Sequence, residues 1–264
     1  MAELVGYLGA LLMGLSLGMV GGGGSIIALP ILLYLFHIHP ELAIVYSLFI
    51  VGSTSVFASA NHIKQKNFDV KVAIKFGLAS VIAVAFMRFL VMPNIPATII
   101  TIGNIVIKKS IVLLMIFSVL MLIVSIKMIT GHQSNIVQNS HSSNLVFNGI
   151  SVGILTGLIG AGGGFLIVPS LVNKAGLTMK KAIGTSLIII GINSLIGFVI
   201  SLIHHPKIDW FLLITFLAVS FAGTVIGTQL SKKIPGEKLK PIFGWFVLLT
   251  GIYIIIKELF FHVV

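Results

Sequence analysis

The chain has 264 residues, of which 57% are hydrophobic and only 9% charged. A soluble domain carries about 25% charged residues, so this sequence cannot coat a soluble globule of its size and reads as a multi-span membrane protein. It contains no cysteine, which excludes disulfides and thiolate chemistry, and its 17 Lys plus Arg against 6 Asp plus Glu form no basic run longer than two residues, so the excess reads as cytoplasmic loop charge and not as a nucleic-acid surface.

Residues 1–20 lack a positive n-region and read as a first span that is retained, not a cleaved signal peptide. Ten apolar segments follow one another, at about 4–20, 25–38, 42–62, 71–92, 110–130, 145–160, 164–177, 182–203, 210–231 and 240–261. A helix needs about 20 residues to cross the hydrocarbon. The second and seventh segments are too short for that. Each follows a run of glycines directly, which predicts a broken or re-entrant helix in each half.

The chain repeats itself. Residues 14–30 align with 153–169 at an offset of 139, and the identical positions are Gly14/Gly153, Gly18/Gly157, Gly21/Gly160, Gly23/Gly162, Gly24/Gly163 and Pro30/Pro169. The match continues through Ala43, Ile44, Ser47, Leu48, Ile50, Gly52 and Ser55, paired with Ala182, Ile183, Ser186, Leu187, Ile189, Gly191 and Ser194. Asp69 and Asp209 each open the next span. The polar stretch 131–144 is a linker between a first unit, 1–130, and a second, 145–264. Whether five segments cross per unit or three, an odd number inverts the second unit. The expected fold is therefore an all-α polytopic membrane protein of two inverted-topology five-segment repeats, with short broken or re-entrant helices after Gly-rich loops. With both termini outside, inner loops carry twelve basic residues and outer loops five, as the positive-inside rule requires.

Unpaired amides at a helix start carry partial positive charge, and glycine lets a ligand approach them. Gly21, Gly22, Gly23, Gly24 and Ser25, with Gly160, Gly162, Gly163 and Gly164, are thus candidates to bind an anion from two opposed loops. The competing reading is close helix packing by small residues, and it suits Gly14, Gly18, Gly153 and Gly157 better. Ser47, Thr54, Ser55, Ala58, Asn61 and His62 share a helical face, and Ser186, Asn193, Ser194, Gly197 and Ser201 repeat it. Of these, Ser47, Thr54, Ser55, Ser186, Asn193 and Ser194 are assigned to the substrate path.

A P-loop is excluded because Gly24-Ser25 has no lysine between. A dinucleotide fold is excluded because no polar βαβ unit surrounds the glycines. All six acids lie at segment ends, so a carboxylate proton relay is not expected. His62 is the one proton-coupling candidate. Arg88 and Lys75 bracket the fourth segment and read as snorkelling anchors. His204 and His205 lack acidic partners. No catalytic residue, metal site or cofactor is expected.

Gly21-Gly-Gly-Gly-Ser-Ile-Ile-Ala-Leu-Pro30 and Gly160-Ala-Gly-Gly-Gly-Phe-Leu-Ile-Val-Pro169, each followed by Ala-x-x-x-Ser-Leu, resemble the TauE/SafE sulfite exporter family from about residue 5 to 261. The resemblance implies a permease of the bacterial cytoplasmic (inner) membrane for sulfite or organosulfur anions. The expected function is a secondary transporter exporting a small anion by alternating access. Its expected partners are that anion and the lipid bilayer, with no nucleic acid; homo-oligomer formation stays open. Uptake of another anion, a channel, or an intramembrane enzyme stand as alternatives.

Overall fold

The computed structural model describes residues 2–96, 98–102, 105–130, 145–160, 162–203, 208–233 and 236–262. The linker 131–144 and the pair His204 and His205 lie outside the described residues. Among the described residues, ten helices of ten residues or more carry the chain, five before the linker and five after. They are α1 (Ala2–Val20), α2 (Gly24–Tyr34), α3 (Pro40–Lys64), α4 (Val70–Phe86), α5 (Lys109–Ile129), α6 (Leu145–Ile159), α7 (Gly164–Asn173), α8 (Met179–Leu202), α9 (Trp210–Lys233) and α10 (Gly236–His262). Each coincides with one of the apolar segments.

Five helical stretches are long and apolar enough to cross a membrane: Pro40–Lys64, Val70–Asn94, Lys109–Ile126, Met179–Leu202 and Trp210–Ser231. At a rise of 1.5 Å per residue, α2 and α7 reach only about 16 Å, half of the hydrocarbon. The outer faces of the long helices carry exposed apolar side chains such as Leu78, Ile82, Phe86, Val199 and Phe211. Against lipid such a surface is satisfied; in water it would not be. The chain is a helical membrane protein.

One element departs from an all-α reading. Between α4 and α5, strands β1 (Thr98–Ile102) and β2 (Ile105–Lys108) pair antiparallel. The sequence Thr-Ile-Ile-Thr-Ile, then Gly-Asn, then Ile-Val-Ile-Lys accounts for it. β-branched residues on either side of a two-residue Gly-Asn connection favour a hairpin. Helix α4 is also irregular at its end. It passes into a π-helical turn, Met87–Val91, before a last helical turn, Met92–Asn94. Pro93 has no N–H to donate to the carbonyl of Phe89, four residues back, so regular α-helix fails there.

The contacts between helices come in exchanged pairs. α1 packs on α9 as α6 packs on α4; α3 meets α9 as α8 meets α4; α2 meets α10 as α7 meets α5. α3 with α8, α5 with α10, and α2 with α7 pair across the exchange. Small residues allow the first of these approaches. Gly14 and Gly18 lie against the backbone of Ser220 and Thr224, and Gly149 and Gly153 against the backbone of Phe76 and Ser80. Two hydrogen bonds repeat the exchange at atomic detail. The Asp69 amide donates to Thr185 Oγ1 (2.9 Å), and the Asp209 amide donates to Tyr46 Oη (2.8 Å). Tyr46 and Thr185 occupy the same repeat position. Both aspartates cap the helix that follows, Asp69 Oδ1 accepting from the Val72 amide (3.0 Å) and Asp209 Oδ1 from that of Leu212 (3.0 Å).

Candidate anion site at the glycine loops

Helix α1 ends on Gly21, whose amide still donates to Leu17 O (2.8 Å). Gly21 then turns the chain at φ +77°, a conformation that costs any L side chain. Gly160 does the same after α6, with its amide on Thr156 O (2.9 Å) and φ +74°. Each turn reverses the chain into a short buried helix. The two turns meet. A Cβ on Gly164 would fall 2.7 Å from Gly22 Cα and 2.9 Å from Gly22 O, so backbone lies on backbone.

Each loop is also seated on the other half. A Cβ on Gly21 would meet Ile183 and stand 3.1 Å from Ser186 Oγ. Gly160 is held against Ile44, and Ser47 Oγ lies 3.0 Å from Gly160 O. Ile44 and Ser47 are the repeat equivalents of Ile183 and Ser186. Gly162 faces Val51, Ser194 and Ser25, while Ser25 Oγ donates to Gly22 O (2.8 Å). The structure therefore gathers Gly21, Gly22, Ser25, Ser47, Gly160, Gly162, Gly164, Ser186 and Ser194 at one buried junction.

Other candidates lie elsewhere. Gly24 packs on Leu17 and Met13 of its own hairpin, and Gly163 on Thr156 of its own. Gly23 is the N-cap of α2, at an ordinary helical φ of −68°. Thr54 Oγ1 is committed to Ile50 O (2.6 Å). Asn193 Nδ2 donates to Ser80 Oγ on α4 (2.7 Å). Buried polar atoms normally find partners, yet Ser55 Oγ, Ser194 Oγ and Asn193 Oδ1 have none among the described residues. His62 is buried near the opposite end of α3, about 22 Å along the axis from Ser47 at 1.5 Å per residue, packed on Gly184.

Arg88 corrects the sequence expectation. It is no snorkelling anchor: the residue is 7% exposed, and its guanidinium abuts Gly160. Its Nε and Nη2 are buried without an acceptor among the described residues. It sits on the π-helical turn that Pro93 imposes, a kind of irregularity often found at functional sites. Two sequence signals could have found it. Arg88 is the only arginine in the chain, and it stands inside an apolar run, Ala85-Phe-Met-Arg-Phe-Leu90. Beside it lies a cavity of about 230 Å³ whose lining includes Glu41, Ile44, Arg88, Lys109, Ser110 and Ser201. Lys109 Nζ stands 3.9 Å from Glu41 Oε1. Among the described residues, no three His, Cys, Asp or Glu side chains gather where a metal could bind.

The model of a family described as sulfite exporter TauE/SafE matches residues 7–254 of this chain. A probable membrane transporter protein of Xylella fastidiosa (strain Temecula1) is 32% identical over 256 residues, covering 92% of this chain and 91% of its own. Its counterpart in strain 9a5c is 30% identical over 260 residues, with the same two coverages. A probable membrane transporter protein of Methanocaldococcus jannaschii is 25% identical over 269 residues, covering 96% of this chain and 92% of its own. No solved structure matches the chain.

Proposed function

The chain belongs to the sulfite exporter TauE/SafE family of membrane transporters, and from that premise we propose that it exports small oxyanions of the sulfite or organosulfonate class by alternating access. One observation carries this reading: two glycine loops, one from each half, meet backbone to backbone at Gly22 and Gly164. The first amides of α2 and α7, ahead of Ile26 and Leu166, which bond Gly23 O and Gly163 O, have no carbonyl one turn earlier in their own helix. Their partial charge draws an anion. Attraction of about 0.3–2 kcal/mol per helix end suits a substrate that must also be released.

The two units, 1–130 and 145–264, are read as inverted repeats. The exchanged helix contacts support a two-fold relation between them. The hairpins α1–α2 and α6–α7 are read as re-entrant, turning near mid-membrane, with α3, α4, α5, α8, α9 and α10 crossing. Gly6 and Tyr7 packing on Phe36 supports this for the first hairpin, since its two ends lie at one level. Loop charge then sets both termini outside the cytoplasmic membrane. Rocking of one repeat on the other about the glycine junction exposes the site to each side in turn. Ser47, Ser186, Ser194 and Ser25 line it, and no residue acts as a catalyst.

The test is labelled sulfite flux into proteoliposomes, with sulfate, methanesulfonate and chloride as competitors, with and without a pH gradient. Saturable flux that methanesulfonate inhibits more than chloride is the expected result. Absence of sulfite flux in a reconstituted, folded protein overturns the substrate assignment. A flux unchanged by the pH gradient, and by His62→Gln, removes His62 from coupling.

A further inference from the structure

The scaffold repeats, but its one buried guanidinium does not. Between α4 and α9 the repeat runs at an offset of 140, as Asp69/Asp209 and Ser80/Ser220 show, so Arg88 corresponds to Thr228, a buried residue whose Oγ1 donates to Val225 O (2.9 Å). The second half thus carries a neutral hydroxyl at that position, satisfied within its own helix, where the first half carries a charge. An unpaired charge out of water costs several kcal/mol. Close packing does not call for a charge, since a buried threonine serves at the equivalent place.

The orientation of the guanidinium is informative. Nε and Nη2 share one edge of the plane, so their N–H groups run parallel. Such an edge matches two oxygens of one oxyanion. Both nitrogens are the ones without an acceptor. The edge lies at Gly160, where any side chain would collide with it. Arg88 also lines the cavity of about 230 Å³. Pockets for drug-sized ligands run from about 300 to 1,000 Å³, so this one suits a smaller guest. Lys109 and Ser110 add donors to the wall, and Glu41 faces Lys109 across it.

We propose that Arg88 is the substrate-binding residue of this transporter: it takes two oxygens of a small oxyanion on its Nε–Nη2 edge, between the cavity and the loop of Gly160. The assignment rests on the anion-transport reading above. It adds a fixed charge that the glycine loops lack, and it gives selectivity, because a spherical halide meets only one N–H at its best distance. Occupation of the edge parts Arg88 from Gly160, so the guanidinium and the second glycine loop respond to the same ion.

The experiment uses the purified full chain with Arg88→Gln and Arg88→Lys, each checked by size exclusion and by its own melting temperature. Two readouts are taken: sulfite flux in proteoliposomes, and the rise in melting temperature caused by sulfite, methanesulfonate or chloride at constant ionic strength. R88Q is expected to lose the oxyanion-dependent rise and to lower flux by about 100-fold. R88K, a point charge without the parallel pair, is expected to keep flux with KM raised by about tenfold. Wild-type flux and wild-type thermal response in R88Q overturn the assignment. Should R88Q fail to fold, R88K decides, and an unchanged KM with unchanged selectivity against chloride overturns it. If the wild type moves no sulfite, the substrate reading fails on its own. Arg88 is then judged by the thermal response alone: a rise with methanesulfonate or sulfate that R88K weakens sustains it, and no oxyanion response in the wild type overturns it.

Discussion

Gly22 and Gly164 touch through their main chains, with Gly22 Cα and O both within 3 Å of where a Cβ on Gly164 would stand. They come from loops 142 residues apart in the chain, and neither has a side chain to keep the loops separate. Contact of this kind brings the starts of two short helices together. It also makes the junction intolerant of added atoms.

Glycines in these loops differ in what they tolerate. Gly163 has φ +68° and sits on Thr156, whereas Gly23 has φ −68°. Gly163→Ala therefore combines about 1–2 kcal/mol of backbone strain with about 1–3 kcal/mol of overpacking. Gly23→Ala carries no backbone strain. Thermal melts of the two purified variants should place G163A clearly below G23A; equal melting temperatures contradict the turn geometry.

The exchanged hydrogen bonds predict matched losses. Thr185→Val leaves the Asp69 amide without its acceptor, and Tyr46→Phe does the same to Asp209. Each should cost about 1 kcal/mol, up to about 3 where the amide stays dry. Comparable destabilisation in denaturant titrations supports an exchange-related scaffold. A large loss in one and none in the other speaks against it.

Close approach of α1 to α9, and of α6 to α4, depends on glycine. Gly14→Ala drives a methyl into the backbone of Ser220, and Gly153→Ala brings one to 2.7 Å from the Ala83 methyl and against Ser80. Both should destabilise by about 1–3 kcal/mol. Gly176→Ala is the control for space, because nothing lies within 4 Å of it, although its φ of +67° retains the strain. If G14A and G153A melt no lower than G176A, the packing role is wrong.

Glu41 places a negative charge at the rim of the cavity that Arg88 borders. Glu41→Gln removes that repulsion and leaves Lys109 Nζ on Met92 O and Ile95 O without a carboxylate partner. The KM for an anion should fall about two- to threefold at low salt, and the effect should fade as ionic strength shortens the Debye length to about 8 Å near 0.15 M. A KM that rises, or a change insensitive to salt, would show that Glu41 acts by holding Lys109 in place.

The segment boundaries, the repeat and the glycine turns were legible because each is written locally. Hydropathy over some twenty residues fixes a span, and Asp69 and Asp209 announce helix starts by their own capping chemistry. The hairpin 98–108 was equally local, signalled by β-branched residues around Gly103-Asn104, but hydropathy over some twenty residues does not register strands of four or five. Arg88 shows the other limit. Its place near a span end fits snorkelling and burial equally well, since both keep the charge out of lipid. Only the packing of α4 on α6, with Gly160 leaving room for a guanidinium, turns it inward. The same holds for the glycines: Gly24 and Gly163, identical in the alignment, each pack on their own hairpin, whereas Gly22 and Gly164, which align with Ala161 and Ser25, close the junction. Sequence by itself determined that this is a repeated helical membrane protein with two glycine loops. Which glycines meet, and that the single arginine abuts Gly160, was decided by contacts between residues more than 70 positions apart, where local periodicity carries no information.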